Sequence, residues 1–376
     1  MSDIFEYLSW RGDLSFKQDP LNEVDYLILS RLSYLPFERY SLKKDSKVKD
    51  YLELMEGPFL MEKDQTLVTS LLNSPRFSAL NLCDYQYDFN KELVKQFFAV
   101  TLFDQEGNCY MLFRGTDSTV IGWQEDFRMS YITPVQAQLD ARKYFEKHFG
   151  KFNSYGLFGH SKGGNLASYV YFTSKLEEKQ KIKTVVNLDG PGFQASKVKT
   201  LFEGMEQAKI HYFVPQGSVV GRLLFHGGEP IVINSSSFGI FQHDLYKWEI
   251  EKTCLKRDEE VTSSSKITDK AIKEWVSNLT PKEQELFVEN MFNLFGTGGV
   301  KTLKDVRRHF IKNLPEMRIK LSLLDEQTKS KMIEIIKLFF RAAKSSIKLY
   351  NRERKNQKNQ IESEENFFYL EENELK

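Results

Sequence analysis

The spacing of apolar residues changes along the chain, and each change indicates a different kind of structure. From Val24 to Leu35 apolar residues recur with helical spacing, after Asp19-Pro20, which is predicted to cap that helix. Between about residues 100 and 250, short apolar runs alternate with helical or loop segments. This alternation predicts an α/β fold with a mostly parallel central sheet flanked by helices.

The individual elements follow from local patterns. Gly107-Asn108 separates two apolar runs and predicts a hairpin turn between them. Strands are predicted at 93–104, 109–116, 154–159, 183–190, 208–215 and 229–235, and helices at 65–72, 136–149 and 165–176.

Beyond about residue 255 the chain becomes charged and helical in pattern, after a stretch at 258–269 that reads as a linker. Thr280-Pro281-Lys282-Glu283 has the sequence of a capping box. We therefore predict four regions: an N-terminal helical cap (1–90), an α/β-hydrolase core (91–255), a C-terminal helical region (256–360) and an acidic, disordered tail (361–376).

The charge of the C-terminal region is uneven. Residues 301–360 carry 17 Lys and Arg against 6 Asp and Glu, whereas residues 361–376 carry 6 Glu and one Lys. The basic segment is either a solvated helix pair or a surface attracted to anionic membranes. The stretch 331–350 keeps the second interpretation open, since it is both amphipathic and basic.

Net charge, cysteine content and the absence of long apolar runs limit the partners and the cellular compartment that the sequence predicts. The formal net charge of +1 gives no reason to expect a nucleic-acid partner. Three widely spaced cysteines form neither a disulfide framework nor a zinc pattern, which suits a reducing compartment. The N-terminus lacks the apolar segment of a signal peptide, and no apolar run reaches the length of a membrane span. We expect a cytoplasmic protein; the oligomeric state is left open.

One sequence motif indicates a candidate catalytic residue. Residues 156–167 read GLFGHSKGGNLA and contain Gly-x-Ser-x-Gly, centred on Ser161. A short apolar strand precedes the motif and a helix follows it, which is the setting of a nucleophile elbow. The sharp turn leaves no room for side chains at Gly159 and Gly163. An anion-binding glycine loop, the other interpretation, would carry its glycines and Lys-Ser/Thr pair in the opposite order.

Two stretches, GLFGHSKGGNLA and MLFRGTDSTVIGWQEDF (111–127), resemble the motifs of class-3 (fungal-type) lipases among the α/β-hydrolases. The similarity extends over about residues 95–250. The helical parts on either side look like those of a group of uncharacterised bacterial lipase-like proteins. The resemblance implies a serine hydrolase of carboxylic esters, with no metal or organic cofactor.

The same resemblance implies the oxyanion hole. One donor would be the backbone N–H of Lys162, which follows the nucleophile. The other would come from Thr116, by its backbone N–H and hydroxyl. Arg114 and Asp126 are expected to form an ion pair that fixes this loop. Asp117 to Met129 occupies the place of the lipase lid, but is short and holds few large apolar residues.

The base and the acid should follow Ser161 in the order acid, then histidine. His243, after the last strand-like segment, is the first candidate for the base, and His226 is the alternative. Ser218 stands where the resembled lipases carry their aspartate. Asp189, at the end of the preceding predicted strand, is a substitute acid at the sheet edge where active sites gather. Three options remain open: Asp189, an orienting Ser218, or neither.

These observations support three hypotheses of function. The first is an ester hydrolase, acting on lipid-like acyl esters through an acyl-enzyme on Ser161. The second is a catalytically weak or inactive binding protein on a hydrolase scaffold. The third is an adaptor that associates weakly with anionic membranes through its basic C-terminal helices.

Overall fold

A seven-stranded sheet forms the centre of the protein in the computed structural model, which describes residues 2–41, 46–117, 119–201, 209–295, 315–342 and 344–347. The strands lie in the sheet in the order in which they occur along the chain. The pairs β1–β2 and β2–β3 are antiparallel, and every pair from β3 to β7 is parallel. The predicted α/β fold with a mostly parallel sheet is confirmed. The strands are β1 Asn81–Asn90, β2 Lys95–Phe103, β3 Asn108–Phe113, β4 Ser154–His160, β5 Ile182–Leu188, β6 Ile210–Pro215 and β7 Ile231–Ile233, with a separate hairpin of β8 Ile250–Glu251 and β9 Cys254–Leu255.

Helices cover both faces of the sheet. They are α1 Ile4–Arg11, α2 Glu23–Leu32, α3 Val48–Leu52, α4 Asp64–Leu72, α5 Pro75–Ser78, α6 Val120–Arg128, α7 Gln136–His148, α8 Lys162–Phe172, α9 Leu176–Lys181, α10 Ala195–Leu201, α11 Ser263–Ser277 and α12 Pro281–Phe295. Residues 315–323 and 326–342 are helical as well.

The sheet has a hydrophobic core on each of its two faces, and strand β2 contributes to both. Phe98, Val100 and Leu102 belong to the core formed with the N-terminal helices, whereas Phe97 and Ala99 belong to the core formed with α7 and α8. Successive side chains of a strand point to opposite faces, so a strand covered on both sides is apolar throughout. The result is a three-layer arrangement whose sheet edge at the ends of β3, β4 and β5 is available for a site.

The structure differs from the sequence predictions at several element ends. The helix predicted to start after Asp19-Pro20 begins at Glu23, where Asn22 and Asp25 form a capping box. The predicted linker at 258–269 is partly helical, because Thr262 caps α11. The Thr280–Glu283 capping box is present, with Thr280 N–H donating to Glu283 Oε2 at 2.8 Å.

Strand β1 lies in the region predicted to be helical. It pairs with β2 over its whole length as the outer strand of the sheet. The predicted hairpin between β2 and β3 is formed, and Gly107 adopts a positive φ of 77° in its turn.

Several predictions fall on residues that are not described. The acidic tail (361–376) lies wholly outside the described residues, as does much of the basic segment. Within the described residues, no helix combines the length and the apolar character that crossing a membrane requires.

Candidate active site

The turn between β4 and α8 holds Ser161 in an unusual backbone conformation, with φ 58° and ψ −132°. A non-glycine residue at positive φ is strained and persists only where its surroundings fix it. The Ser161 N–H donates to Leu188 O on the neighbouring strand at 2.9 Å, and Gly164 N–H donates back to Ser161 O at 2.9 Å. These bonds fix the serine at the edge of the sheet, as the elbow motif predicts.

The two glycines of the motif are required by close approach. A β-carbon on Gly159 would lie 2.1 Å from the Gly163 backbone, and one on Gly163 would lie 2.0 Å from Phe113 O. Both distances are far below van der Waals contact, so a side chain at either position would open the turn.

The loop after β3 lies directly against the serine. A β-carbon added to Gly115 would be 3.0 Å from Ser161 Cβ, so the loop that carries Thr116 lies beside Ser161. The Thr116 hydroxyl donates to Asp126 Oδ2 at 2.5 Å. Its hydrogen is therefore engaged, and the Thr116 backbone N–H is the group left for an oxyanion. The Lys162 N–H is the other, since the first amides of a helix have no intrahelical acceptor.

The expected ion pair between Arg114 and Asp126 is not formed. Arg114 instead donates from both Nη1 and Nη2 to Glu38, at 2.9 and 2.8 Å, and to the carbonyls of Ser33 and Leu35. It therefore anchors the end of β3 to the chain after α2. A guanidinium favours this arrangement because its fixed fork matches a carboxylate and leaves further donors for carbonyls.

Asp126 is a partly buried carboxyl, and desolvation raises its pKa to about 6 even though Lys162 Nζ lies 3.9 Å from its Oδ1. At neutral pH it is therefore the ionised acceptor of the Thr116 hydroxyl. The hydrogen bond holds the loop after β3 to α6, which occupies the position of the predicted lid.

The Lys162 side chain forms a second link that the sequence did not reveal. Its Nζ donates to Glu125 Oε2 at 2.8 Å and to Gln96 O at 2.9 Å, and both ionised side chains are 1 % exposed. Glu125 also accepts the backbone N–H of Gln96 and of Ala137. One buried ion pair thus ties the nucleophile elbow to α6 and to β2.

Replacing Lys162 with methionine should destabilise the fold, because Glu125 would remain buried without its cation. We expect the free energy of unfolding to fall by about 3–5 kcal/mol. Urea denaturation followed by circular dichroism measures this, with Lys151→Met, at an exposed lysine, as the control. A loss below about 1 kcal/mol, within the range of exposed pairs, would contradict the assigned role.

His243 and Asp189 form the central contact of the site. His243 Nδ1 lies 2.6 Å from Asp189 Oδ2, and the Asp189 side chain is 1 % exposed. Ser218 Oγ donates to Asp189 Oδ1 at 2.5 Å, and Gly221 N–H donates to the same oxygen at 3.1 Å. Of the open options for the acid, Asp189 is thus the group that meets the histidine, and Ser218 orients the carboxylate instead of the ring.

The contact fixes which imidazole nitrogen is available. A carboxylate oxygen accepts, so Nδ1 carries the hydrogen and Nε2 is left with its lone pair. Ser161, His243 and Thr116 line one cavity. The Ser161 hydroxyl makes no hydrogen bond to any described residue, an arrangement common in unliganded sites, where such bonds tighten on binding.

His160, the residue before Ser161, contacts the backbone of His243. Its Nε2 lies 2.9 Å from His243 O and its Nδ1 lies 2.9 Å from Tyr34 OH. A carbonyl only accepts, so Nε2 carries the hydrogen and Tyr34 donates to Nδ1. Burial lowers the pKa of His160 well below its usual value, with a further contribution from His243, and the ring is neutral. Neither Tyr34 nor His160 was singled out by the sequence motifs.

The alternative base lies elsewhere. His226 stacks on Tyr212 with ring centroids 4.2 Å apart, and its Nε2 lies 3.0 Å from Tyr212 OH. Burial lowers the pKa of His226 to about 3, and the ring does not line the cavity with Ser161. Asp244, next to His243, uses its carboxylate to accept the Tyr246 N–H at 3.0 Å.

The N-terminal helices anchor the segment that carries His243. Arg31 of α2 and Asp64 of α4 form a buried ion pair with nitrogen–oxygen distances of 2.5–2.8 Å. Tyr246 OH donates to Asp64 Oδ1 at 2.6 Å, and Trp248 Nε1–H donates to Gln242 O at 2.8 Å. The segment around His243 is therefore held from both sides by buried hydrogen bonds.

The cavity in front of Ser161 is large and mostly apolar, with a volume of about 520 Å³. Its walls come from both the sheet edge and the C-terminal helices. The larger apolar residues that line it are Leu60, Met61, Trp123, Phe127, Val219, Val220, Leu223, Leu224, Leu245, Ile272, Trp275, Val276, Leu279, Phe287, Val288 and Phe339. Helix α12 covers α6, where Glu289 accepts hydrogen bonds from Gln124, Arg128 and Tyr131.

In the part of the chain that the structure describes, no cluster of three or more His, Cys, Asp or Glu side chains has the arrangement of a metal site.

Comparison with known proteins identifies the family of the chain. The Mbeg1-like family model matches residues 71–293, which is more than half of the 376-residue chain. No curated protein matches the chain. A solved structure titled "Crystal structure of M37 lipase" is similar with 13 % sequence identity and a TM-score of 0.34, over 52 % of this chain and 67 % of that one. The chain belongs to the Mbeg1-like family.

Proposed function

We propose that this protein is a serine hydrolase that cleaves carboxylic esters of apolar acyl chains. The observation that carries the proposal is the 2.6 Å contact between buried Asp189 and His243, whose ring lines a cavity together with a strained Ser161. The nucleophile Ser161, the acid Asp189 and the base His243 follow one another in the chain order of α/β-hydrolases. The sequence has Ser218 where the resembled lipases carry their acid. This does not leave the histidine without a carboxylate, because Asp189, which follows the neighbouring strand, contacts His243.

The mechanism follows from the roles of these groups. Ser161 Oγ attacks the acyl carbonyl while His243 Nε2 takes the hydroxyl proton, and the developing oxyanion accepts hydrogen bonds from the Thr116 and Lys162 amides. Asp189 holds the imidazole tautomer and stabilises the imidazolium. His243 then gives its proton to the leaving alkoxide. A water molecule, deprotonated by the same nitrogen, attacks the acyl-enzyme and releases the acid and Ser161.

The apolar lining of the cavity favours a substrate with an apolar acyl group. Its lining offers aliphatic and aromatic side chains from α11 and α12 as well as from the loops of the sheet. Burying each additional methylene of an acyl chain contributes about 0.8 kcal/mol, which is about fourfold in affinity. Polar acyl groups would lose their hydration without gaining partners there.

A series of p-nitrophenyl esters from acetate to decanoate tests the proposal. We expect kcat/KM to rise by up to about fourfold for each added methylene until the chain fills the cavity, and then to level off or fall. Ser161→Ala run in parallel corrects for non-enzymatic hydrolysis. A flat dependence on chain length in an active enzyme would contradict an acyl-binding cavity, and absence of Ser161-dependent hydrolysis across the series would contradict the proposed reaction.

A further inference from the structure

The helix at 326–342 has an inner side that belongs to the catalytic cavity. Ile335 is fully buried, and Met332 and Ala342 are buried beside it. Trp275 Nε1–H donates to Ile335 O at 3.0 Å, and the rings of Trp275 and Phe339 are 5.4 Å apart. Both rings line the cavity in front of Ser161. This helix is therefore part of the wall around the site.

The outer side of the same helix is apolar and exposed. Ile333, Ile336 and Phe340 are 53 %, 41 % and 66 % exposed. Their spacing of three and four residues places them in one stripe along the helix. The helical segment 315–323, which precedes it in the chain, also exposes Ile319, Leu321 and Leu323. Single exposed apolar residues are ordinary, but three large ones in one stripe along a helix mark a surface that contacts something else.

Cations border the stripe. Lys337 and Arg341 follow its apolar residues on the same side of the helix. Lys344 begins the next described helical residues, 344–347. All three are exposed, and none forms an ion pair with any residue of the described chain. Glu334, an acidic residue of the same helix, forms an ion pair with Lys331 at 3.1 Å. The positive charge at this surface is therefore not neutralised by the described part of the protein.

We propose that this stripe, Ile333, Ile336 and Phe340 with Lys337, Arg341 and Lys344, docks onto an anionic lipid surface. An apolar face bordered by unpaired cations is the pattern of a helix that lies in the membrane interface. Charge complementarity favours anionic lipid headgroups over an acidic protein groove, because the apolar side chains project between the cations along a convex helix. Docking does not depend on the proposed hydrolysis, but it would bring the wall of the catalytic cavity to the lipid.

Vesicle sedimentation with the full-length chain tests the proposal. We compare phosphatidylcholine vesicles with vesicles that contain phosphatidylglycerol, at low and at high salt. Each basic residue near an anionic surface contributes about 1 kcal/mol, or about fivefold, so Lys337→Gln/Arg341→Gln should weaken binding about 25-fold. Phe340→Ser should weaken it about tenfold or more. The matched control is Lys143→Gln/Lys151→Gln, at two exposed lysines outside the stripe, which should bind as the wild type does.

The outcomes separate the possible occupants of the stripe. Binding that needs the anionic lipid, weakens with salt and falls in both stripe variants supports the proposal. Equal sedimentation of the stripe variants and the control would overturn it. So would a wild type that is dimeric without vesicles and becomes monomeric in Phe340→Ser, since the stripe would then join two copies of the chain. Binding that emerges only after residues 361–376 are removed would show that the acidic tail competes for the stripe, and would also overturn it.

Discussion

Alanine at position 161 is expected to lower kcat for ester hydrolysis by about 10⁶-fold, the loss observed when the nucleophile of a serine hydrolase is removed. The reason is that no acyl-enzyme can form without the hydroxyl, although the cavity and the oxyanion donors remain. Initial rates with a p-nitrophenyl ester measure the effect. The thermal unfolding midpoint should change little, because the Ser161 hydroxyl makes no hydrogen bond within the described chain.

The chain offers a matched control for this substitution. Ser130 lines the same cavity, but its hydroxyl donates to Phe127 O at 2.8 Å within its own turn. Ser130→Ala should keep kcat within a few-fold of the wild type. If the two alanine variants hydrolyse the ester equally fast, Ser161 is not the nucleophile.

Asparagine at position 189 should lower kcat by about 10⁴-fold. The amide would keep the size of the side chain, and it tolerates the positive φ of 49° that residue 189 adopts. It would lack the negative charge that stabilises the imidazolium, and it could present an N–H to Nδ1 and so favour the wrong tautomer of His243. The loss should appear in kcat, with a much smaller change in KM.

Ser218→Ala distinguishes the acid from its support. Ser218 donates one hydrogen bond to Asp189 Oδ1, which also accepts from Gly221 N–H. Removing one neutral partner of a carboxylate that keeps another should lower kcat only about tenfold. If Ser218→Ala lowers kcat as much as Asp189→Asn does, the serine contributes as much to catalysis as the aspartate. If both variants keep near-wild-type rates, Asp189 has no part in the mechanism.

The part of the site nearest to the motif could be predicted from the sequence. The elbow at Ser161 is a local structure: a strand, a turn with two obligatory glycines and a helix follow one another within twelve residues. The alternation of apolar runs also predicted a mostly parallel sheet flanked by helices. It did not give the order of the strands in that sheet.

The contacts between distant segments could not be predicted in the same way. Asp189 and Ser218 both end near the same sheet edge, and only the fold shows that one meets His243 while the other meets Asp189. The Lys162–Glu125 pair and the Arg114–Glu38 pair join segments 37 and 76 residues apart. Residues so far apart in the chain form no local sequence motif, so neither pair could be predicted from the sequence.

Strand β1 is a different case, because its signal was present. Tyr85, Tyr87 and Phe89 alternate with polar residues at every second position, which is the pattern of an edge strand with one exposed side. The C-terminal region is the opposite case. Its helical, charged pattern was visible in the sequence, but nothing in that pattern indicated that α11 and α12 would line the cavity in front of Ser161.

Labelling with a fluorophosphonate probe tests whether Ser161 is an activated nucleophile. The folded wild type is incubated with the probe, digested and mapped by mass spectrometry. We expect one phosphonyl adduct on Ser161, absent from Ser161→Ala and formed far more slowly in Asp189→Asn. No adduct on the folded wild type, or an adduct on another residue that persists in Ser161→Ala, would contradict it.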